Sequence, residues 1–101
     1  MQTNVSIHDG EAVVTLSGRF DFNAHRDFRA AYEPLMEDSA LRAVTIDLGN
    51  VDYLDSSALG MLLMVRDKAG TANKKLTLAN AQAGVKQVLD IANFGKLFQI
   101  I

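Results

Sequence analysis

Apolar and polar residues change rhythm several times along this chain, and each change marks an element. Val5 and Ile7 alternate with Ser6 and His8, Asp9-Gly10 breaks the run, and a β-branched stretch resumes from Val13 to Leu16. Alternation on both sides of an Asp-Gly turn predicts a β-hairpin. The period then lengthens. Phe28, Ala31, Tyr32 and Leu35 recur at i, i+3, i+4 and i+7, one face of an amphipathic helix for which Asp21 or Asn23 offers a cap. Pro34, the only proline, falls inside this pattern and predicts a kink or an early stop near Tyr32. Alternation returns as Val44, Ile46 and Leu48 against Thr45 and Asp47, a central strand ended by Gly49-Asn50. A nearly all-apolar helix follows to about Ala69, with Gly70 as its stop. Leu76 and Leu78 alternate with Thr77 and Ala79 in a fourth strand. Val85, Val88, Leu89 and Ala92 then repeat the helical spacing before the stop signals Asn93 and Gly95. Phe98, Ile100 and Ile101 make a short last strand. The order ββαβαβαβ predicts an α/β fold, one domain over residues 1–101 with a mixed sheet and helices supplying its cover.

The helix after Asp55 is where the pattern carries chemistry. Asp55, Ser56 and Ser57 stand where a strand end opens into a helix, and one of them suffices as N-cap for the orphan N–H groups of the first turn. Two hydroxyls and a carboxylate exceed that need. A helix N-terminus also tolerates added negative charge, so a phosphoserine at Ser56 would leave the helix intact while placing a charge of about −1.5 to −2 on its rim. At about 100° per residue, Ala58, Leu59, Leu62, Val65 and Ala69 share a face assigned to the core. Ser57, Gly60, Met64 and Lys68 form the opposite face, with Met61 on its flank. A helical glycine costs roughly 1 kcal/mol relative to alanine, so Gly60 points to close approach by something packed on that face. That something is either a partner protein or a neighbouring helix of the same domain.

Composition narrows the function classes. With 49% hydrophobic and 22% charged residues the chain reads as an ordinary globular protein. A formal net charge of −2 gives no electrostatic footprint for nucleic acid, and the one adjacent basic pair, Lys74-Lys75, reads as turn solvation. The absence of cysteine removes disulfides and thiolate metal sites and fits a reducing cytoplasm. Met1-Gln2-Thr3-Asn4 does not read as the start of a secretory signal, and the apolar run Ala58 to Val65 is far short of the ~20 residues a membrane span needs. No membrane contact and a cytoplasmic location are therefore expected.

The familiar catalytic constellations fail. His8 and His25 have no metal-ligand spacing and are expected to face solvent, so no metal is expected. Ser56 lacks a Gly-x-Ser-x-Gly elbow and a base, and no Gly-rich phosphate loop exists, so no cofactor and no catalysis are expected. Asp21, Asp52 and Asp55 could gather near one loop, where capping and solvation account for them.

The run Leu48-x-x-Val51-x-Tyr53-Leu54-Asp55-Ser56-Ser57-Ala58-Leu59-Gly60 resembles the signature of the STAS domains, the anti-sigma factor antagonists of bacteria. Gly18-Arg19-Phe20-Asp21 resembles the same family's Gly-x-apolar-Asp turn, and the element order agrees from Val5 to Ile101. The family pattern commonly has Gly at the position of Ala58 and a final helix beyond the last strand, for which this sequence has no counterpart. The resemblance implies a non-enzymatic regulator. Ser56, or alternatively Ser57, would be phosphorylated by a partner kinase, and Asp21, Asp55, Ser56, Ser57, Gly60, Met61 and Met64 would form the partner surface. The implied partners are an anti-sigma factor or serine kinase and a PP2C-like phosphatase. An alternative within the same resemblance is a constitutive adaptor subunit of transport or other regulatory machinery, with no phosphorylation cycle.

Overall fold

Asp9 and Gly10 both take left-handed backbone conformations, φ 51° and 78°, which is the tight turn that folds β1 (Gln2–His8) back onto β2 (Glu11–Phe20). The computed structural model describes residues 1–101. After β2 a short 3₁₀ turn (Phe22–Ala24) leads into α1 (His25–Glu37), β3 (Ala43–Leu54), α2 (Ser56–Thr71), β4 (Lys75–Ala79) and α3 (Ala83–Ile91). A second 3₁₀ turn (Phe94–Lys96) precedes β5 (Gln99–Ile100). The five strands lie in sequence order, β1 antiparallel to β2 and the others parallel. This is the mixed α/β sheet that the hydrophobic pattern predicts.

Each of the three crossovers steps to the next strand in the same direction, and right-handed crossovers of that kind lay all their helices on one face. Side-chain phase agrees. Val14, Ile46 and Leu78 stand in register across β2, β3 and β4 and are fully buried. On the other face the register row Ser6, Val13, Thr45, Thr77 and Gln99 is polar except for the half-buried Val13, as suits a sheet side that no helix covers. An edge-to-face chain of rings joins β2 to α1, Phe20 to Phe28 at 5.0 Å and Phe28 to Tyr32 at 5.1 Å.

Four expectations are corrected. Helix α1 does not stop near Tyr32 but runs through Pro34 to Glu37. Pro34 and Ala30 are exposed, so the carbonyl left without its donor lies on the solvent side, while buried Leu35 anchors the last turn. Gly70 does not end α2; the left-handed residue that does is Asn73, at φ 58°, after Thr71. Lys74 is not turn solvation. It is 9% exposed, and its ammonium donates to the carbonyls of Asp38 at 2.6 Å and Leu41 at 2.7 Å, fastening the α1–β3 connection to the start of β4.

The fourth concerns β3, which continues past Gly49-Asn50 to Leu54. It does so by two irregularities. One extra β3 residue lies between the pairs Thr15–Asp47 and Ser17–Asn50, and another between Gly18–Val51 and Arg19–Tyr53. The buried set shifts accordingly, from Val44, Ile46 and Leu48 to Val51 and Leu54. Asp47 secures the first bulge: its carboxylate accepts from the Gly49 N–H at 2.9 Å and from the Asn80 side chain at 3.2 Å. Gln82 adds a bond from its amide to the Gly49 carbonyl at 2.8 Å. Any Cβ at Gly49 would sit 3.1 Å from the Asp47 carboxylate, so glycine fits this turn where larger residues crowd it.

Candidate functional site

Phe20 and Leu54 are parallel partners at the ends of β2 and β3, so the residues that follow them, Asp21 and Asp55, leave the sheet side by side. Both become caps. The Asp21 carboxylate accepts from Asn23 N–H at 3.0 Å and caps the 3₁₀ turn, not α1 itself, whose N-cap Ala24 makes no side-chain bond. The Asp55 carboxylate accepts from Ala58 N–H at 2.9 Å, and its own N–H reaches the Phe20 carbonyl at 3.3 Å. Asp55 is the whole of the connection between β3 and α2.

Because Asp55 supplies the cap, the two serines are free of that duty. Ser56, the first residue of α2, is exposed, and Ser57 is half-buried. One turn on, Gly60 is exposed, and a Cβ built there would meet nothing within 4 Å. No neighbouring helix of the domain therefore occupies that position. Met64 continues the surface at 45% exposure. Met61, expected on the flank of this face, is instead 6% exposed and part of the core cluster. Helix α1 packs against α2, which widens the buried stripe of α2 past the face centred on Ala58, Leu62, Val65 and Ala69, and Leu59 is left only half-buried. Of the expected surface residues, then, Ser56, Gly60 and Met64 are open, Asp21, Asp55 and Ser57 are half-buried at the rim, and Met61 is withdrawn.

Three residues not singled out from the sequence share the rim. Arg19 lies 3.6 Å from the Asp21 carboxylate, and its guanidinium stands 4.0 Å above the Tyr53 ring. Phe22, in the capped 3₁₀ turn that touches α2, is 71% exposed. Phe20 and Phe22 are equally aromatic in the sequence, and only the end of β2 between them decides that one is core and the other surface. Asp52 sits exposed in the second β3 irregularity and makes no hydrogen bond with Asp21 or Asp55. His8 and His25 are exposed. The largest cleft, about 630 Å³, is lined by Arg66, Gly70, Lys74 and Leu97, at the other end of α2 and ~15 Å along its axis from Ser56. No helix is long and apolar enough to cross a membrane.

Known proteins match both the sequence and the fold. The family model described as "Mlab, STAS domain" matches residues 3–100. A STAS-domain containing protein of Pseudomonas aeruginosa is 50% identical over 90 residues, covering 89% of this chain and 87% of that one. The crystal structure of an anti-sigma factor antagonist from Mycobacterium paratuberculosis superposes with a TM-score of 0.86 at 27% identity, covering 98% of this chain and 83% of that one. The Bacillus cell fate determinant SpoIIAA in its phosphorylated form has the same fold, with a TM-score of 0.75 at 17% identity, covering 99% of this chain and 91% of that one. With nearly every residue inside the family model and a half-identical relative across most of both lengths, the chain belongs to the STAS-domain family.

Proposed function

We propose that this protein is an anti-sigma factor antagonist that works by partner switching, controlled by phosphorylation of Ser56. With Ser56 unmodified, it binds an anti-sigma factor, itself a serine kinase, through Asp21, Asp55, Ser56, Ser57, Gly60 and Met64. With Ser56 phosphorylated, it lets go, and a PP2C-like phosphatase resets it. The observation that carries this reading is the division of labour at the start of α2. Asp55 holds the cap, so the Ser56 hydroxyl is exposed and not needed by the fold. A phosphoryl group there gains from the helix dipole and does not melt the helix. In a docked interface, however, the same dianion is desolvated, which costs several kcal/mol when it is unpaired. A protein of the same fold is known in a phosphorylated form, which is in keeping with this cycle.

The second reading is a constitutive adaptor, favoured by the bare, uncharged patch at Gly60 and Met64, which can dock a partner with no covalent switch. Glutamate at Ser56 weakens docking under either reading, so the deciding measurement is occupancy. Phosphosite mapping of the protein from its native host is expected to find phosphate on Ser56 that varies with growth conditions and disappears in Ser56→Ala. Unmodified protein under every condition would sink the switch and leave the adaptor.

A further inference from the structure

We propose that β1 is a pairing edge for a second copy of this chain, joining two five-stranded sheets into one continuous sheet about a two-fold axis at Val5. Edge strands in monomeric proteins are usually blunted by Lys, Pro, bulges or shortness. The opposite edge of this sheet follows that rule, since β5 is two residues long. β1 does not. It is seven residues, Gln2-Thr3-Asn4-Val5-Ser6-Ile7-His8, with no Lys, no Pro and an unbroken register against β2, and every one of them is exposed.

The turn fixes which backbone groups are free. In a two-residue hairpin the flanking pair, here His8 and Glu11, exchanges both hydrogen bonds, and bonded and non-bonded pairs then alternate. Ser6, Asn4 and Gln2 therefore bond inward to β2, and Thr3, Val5 and Ile7 present their N–H and C=O groups outward. Antiparallel pairing centred on Val5 sets Val5 against Val5 of the second copy and Thr3 against its Ile7, two backbone bonds at each such pair. These are the same residues whose side chains lie on the helix-covered side of the sheet, with Val5 39% and Ile7 56% exposed. Pairing would close an apolar strip over both copies. The polar partners also match, Asn4 with Ser6 and Gln2 with His8, and no like charges meet. The strand is complementary to itself, which is what an isologous interface requires. The Ser56 rim lies on other strand ends and stays open, so the pairing is independent of the switch.

Sedimentation equilibrium of the full chain over a concentration series tests this. The wild type is expected to show a monomer–dimer equilibrium, and Val5→Lys and Val5→Glu, each placing like charges across the axis, are expected to lose the dimer. An equimolar mixture of the two variants is expected to recover it. Amide exchange on the wild type needs no substitution: the Thr3, Val5 and Ile7 N–H groups are expected to slow as concentration rises, while Asn4 and Ser6 are slow throughout. A wild type monomeric at every soluble concentration, a dimer that survives Val5→Lys in folded protein, or exchange at Val5 that ignores concentration would each overturn the proposal.

Discussion

The two halves of β3 are made by different means. From Ala43 to Leu48 the strand is held by period alone: inward Val44, Ile46 and Leu48 alternate with outward Thr45 and Asp47 between regular parallel neighbours. From Gly49 to Leu54 it has neighbours on only one side, since the β3–β4 pairing ends at Asp47–Ala79, and it twice falls out of step with β2. Beside its pairing with β2 and the buried Val51 and Leu54, this half is pinned at its first bulge by side-chain bonds from Asp47, Asn80 and Gln82. The lower half builds the core by simple alternation, and the upper half adds Val51 and Leu54 to it and delivers Asp55 and Ser56. Hydrophobic burial is tolerant of detail, whereas a bulge pinned by hydrogen bonds aims the chain that follows it.

Substitutions can break the two halves separately. Ile46→Ala, in the regular half, is expected to lower stability by ~2–5 kcal/mol in urea unfolding and to leave the amide NMR shifts of Asp55 to Gly60 unchanged. Asp47→Ala strips the acceptor from the Gly49 N–H and the Asn80 side chain; the expected loss is ~1–2 kcal/mol, and here the shifts of Asp55 to Gly60 move. Shift changes confined to Gly49 and Asn80 would mean that the upper half supports itself. Asp55→Ala removes the N-cap bond to Ala58 and is expected to cost ~1 kcal/mol, with amide exchange accelerated in the first turn of α2. Gly60→Ala has the opposite sign: with nothing near its Cβ, it is expected to stabilise the isolated protein by ~0.5–1 kcal/mol while weakening capture of a docked partner. A gain in stability with undiminished capture would show that no partner approaches there.

The smallest effect belongs to the aromatic support under the core. Burial raises the Tyr32 phenol above its ordinary value, with the Arg29 cation opposing it. A raised folded value means the stabilising contribution is complete below the unfolded pKa of about 10 and is lost as pH rises through the folded value. Tyr32→Phe is expected to keep the ring contact with Phe28 and to remove that part of the alkaline loss, read as a flatter dependence of urea midpoint on pH.

Where period governed, the sequence was legible. The hairpin, the faces of α1 and α3 and the order of all eight major elements follow from spacing of apolar residues, and cap chemistry narrowed the N-cap of α2 to Asp55, Ser56 and Ser57, among which only the folded backbone selects Asp55. What escaped was set by partners distant along the chain. The continuation of β3 depends on Asn80 and Gln82, and the burial of Lys74 depends on the carbonyls of Asp38 and Leu41, more than thirty residues away. Met61 joined the core because α1 leans on α2, a packing that the α2 sequence does not encode. Phe22 was hidden by its likeness to Phe20.

The strand order has one more consequence, which concerns time. Every strand pairs with the one synthesised just before it, and none has to wait for a segment made later. Parallel sheets fold slowly when their strands are shuffled in sequence, because distant pieces must meet before any contact repays the loop closed. Here each crossover closes only the loop that contains its own helix. The protein can therefore be laid down from its N-terminal hairpin outward as it leaves the ribosome, with the regular half of β3 paired to β2 before β4 exists and the bulge at Gly49 pinned once Asn80 and Gln82 follow.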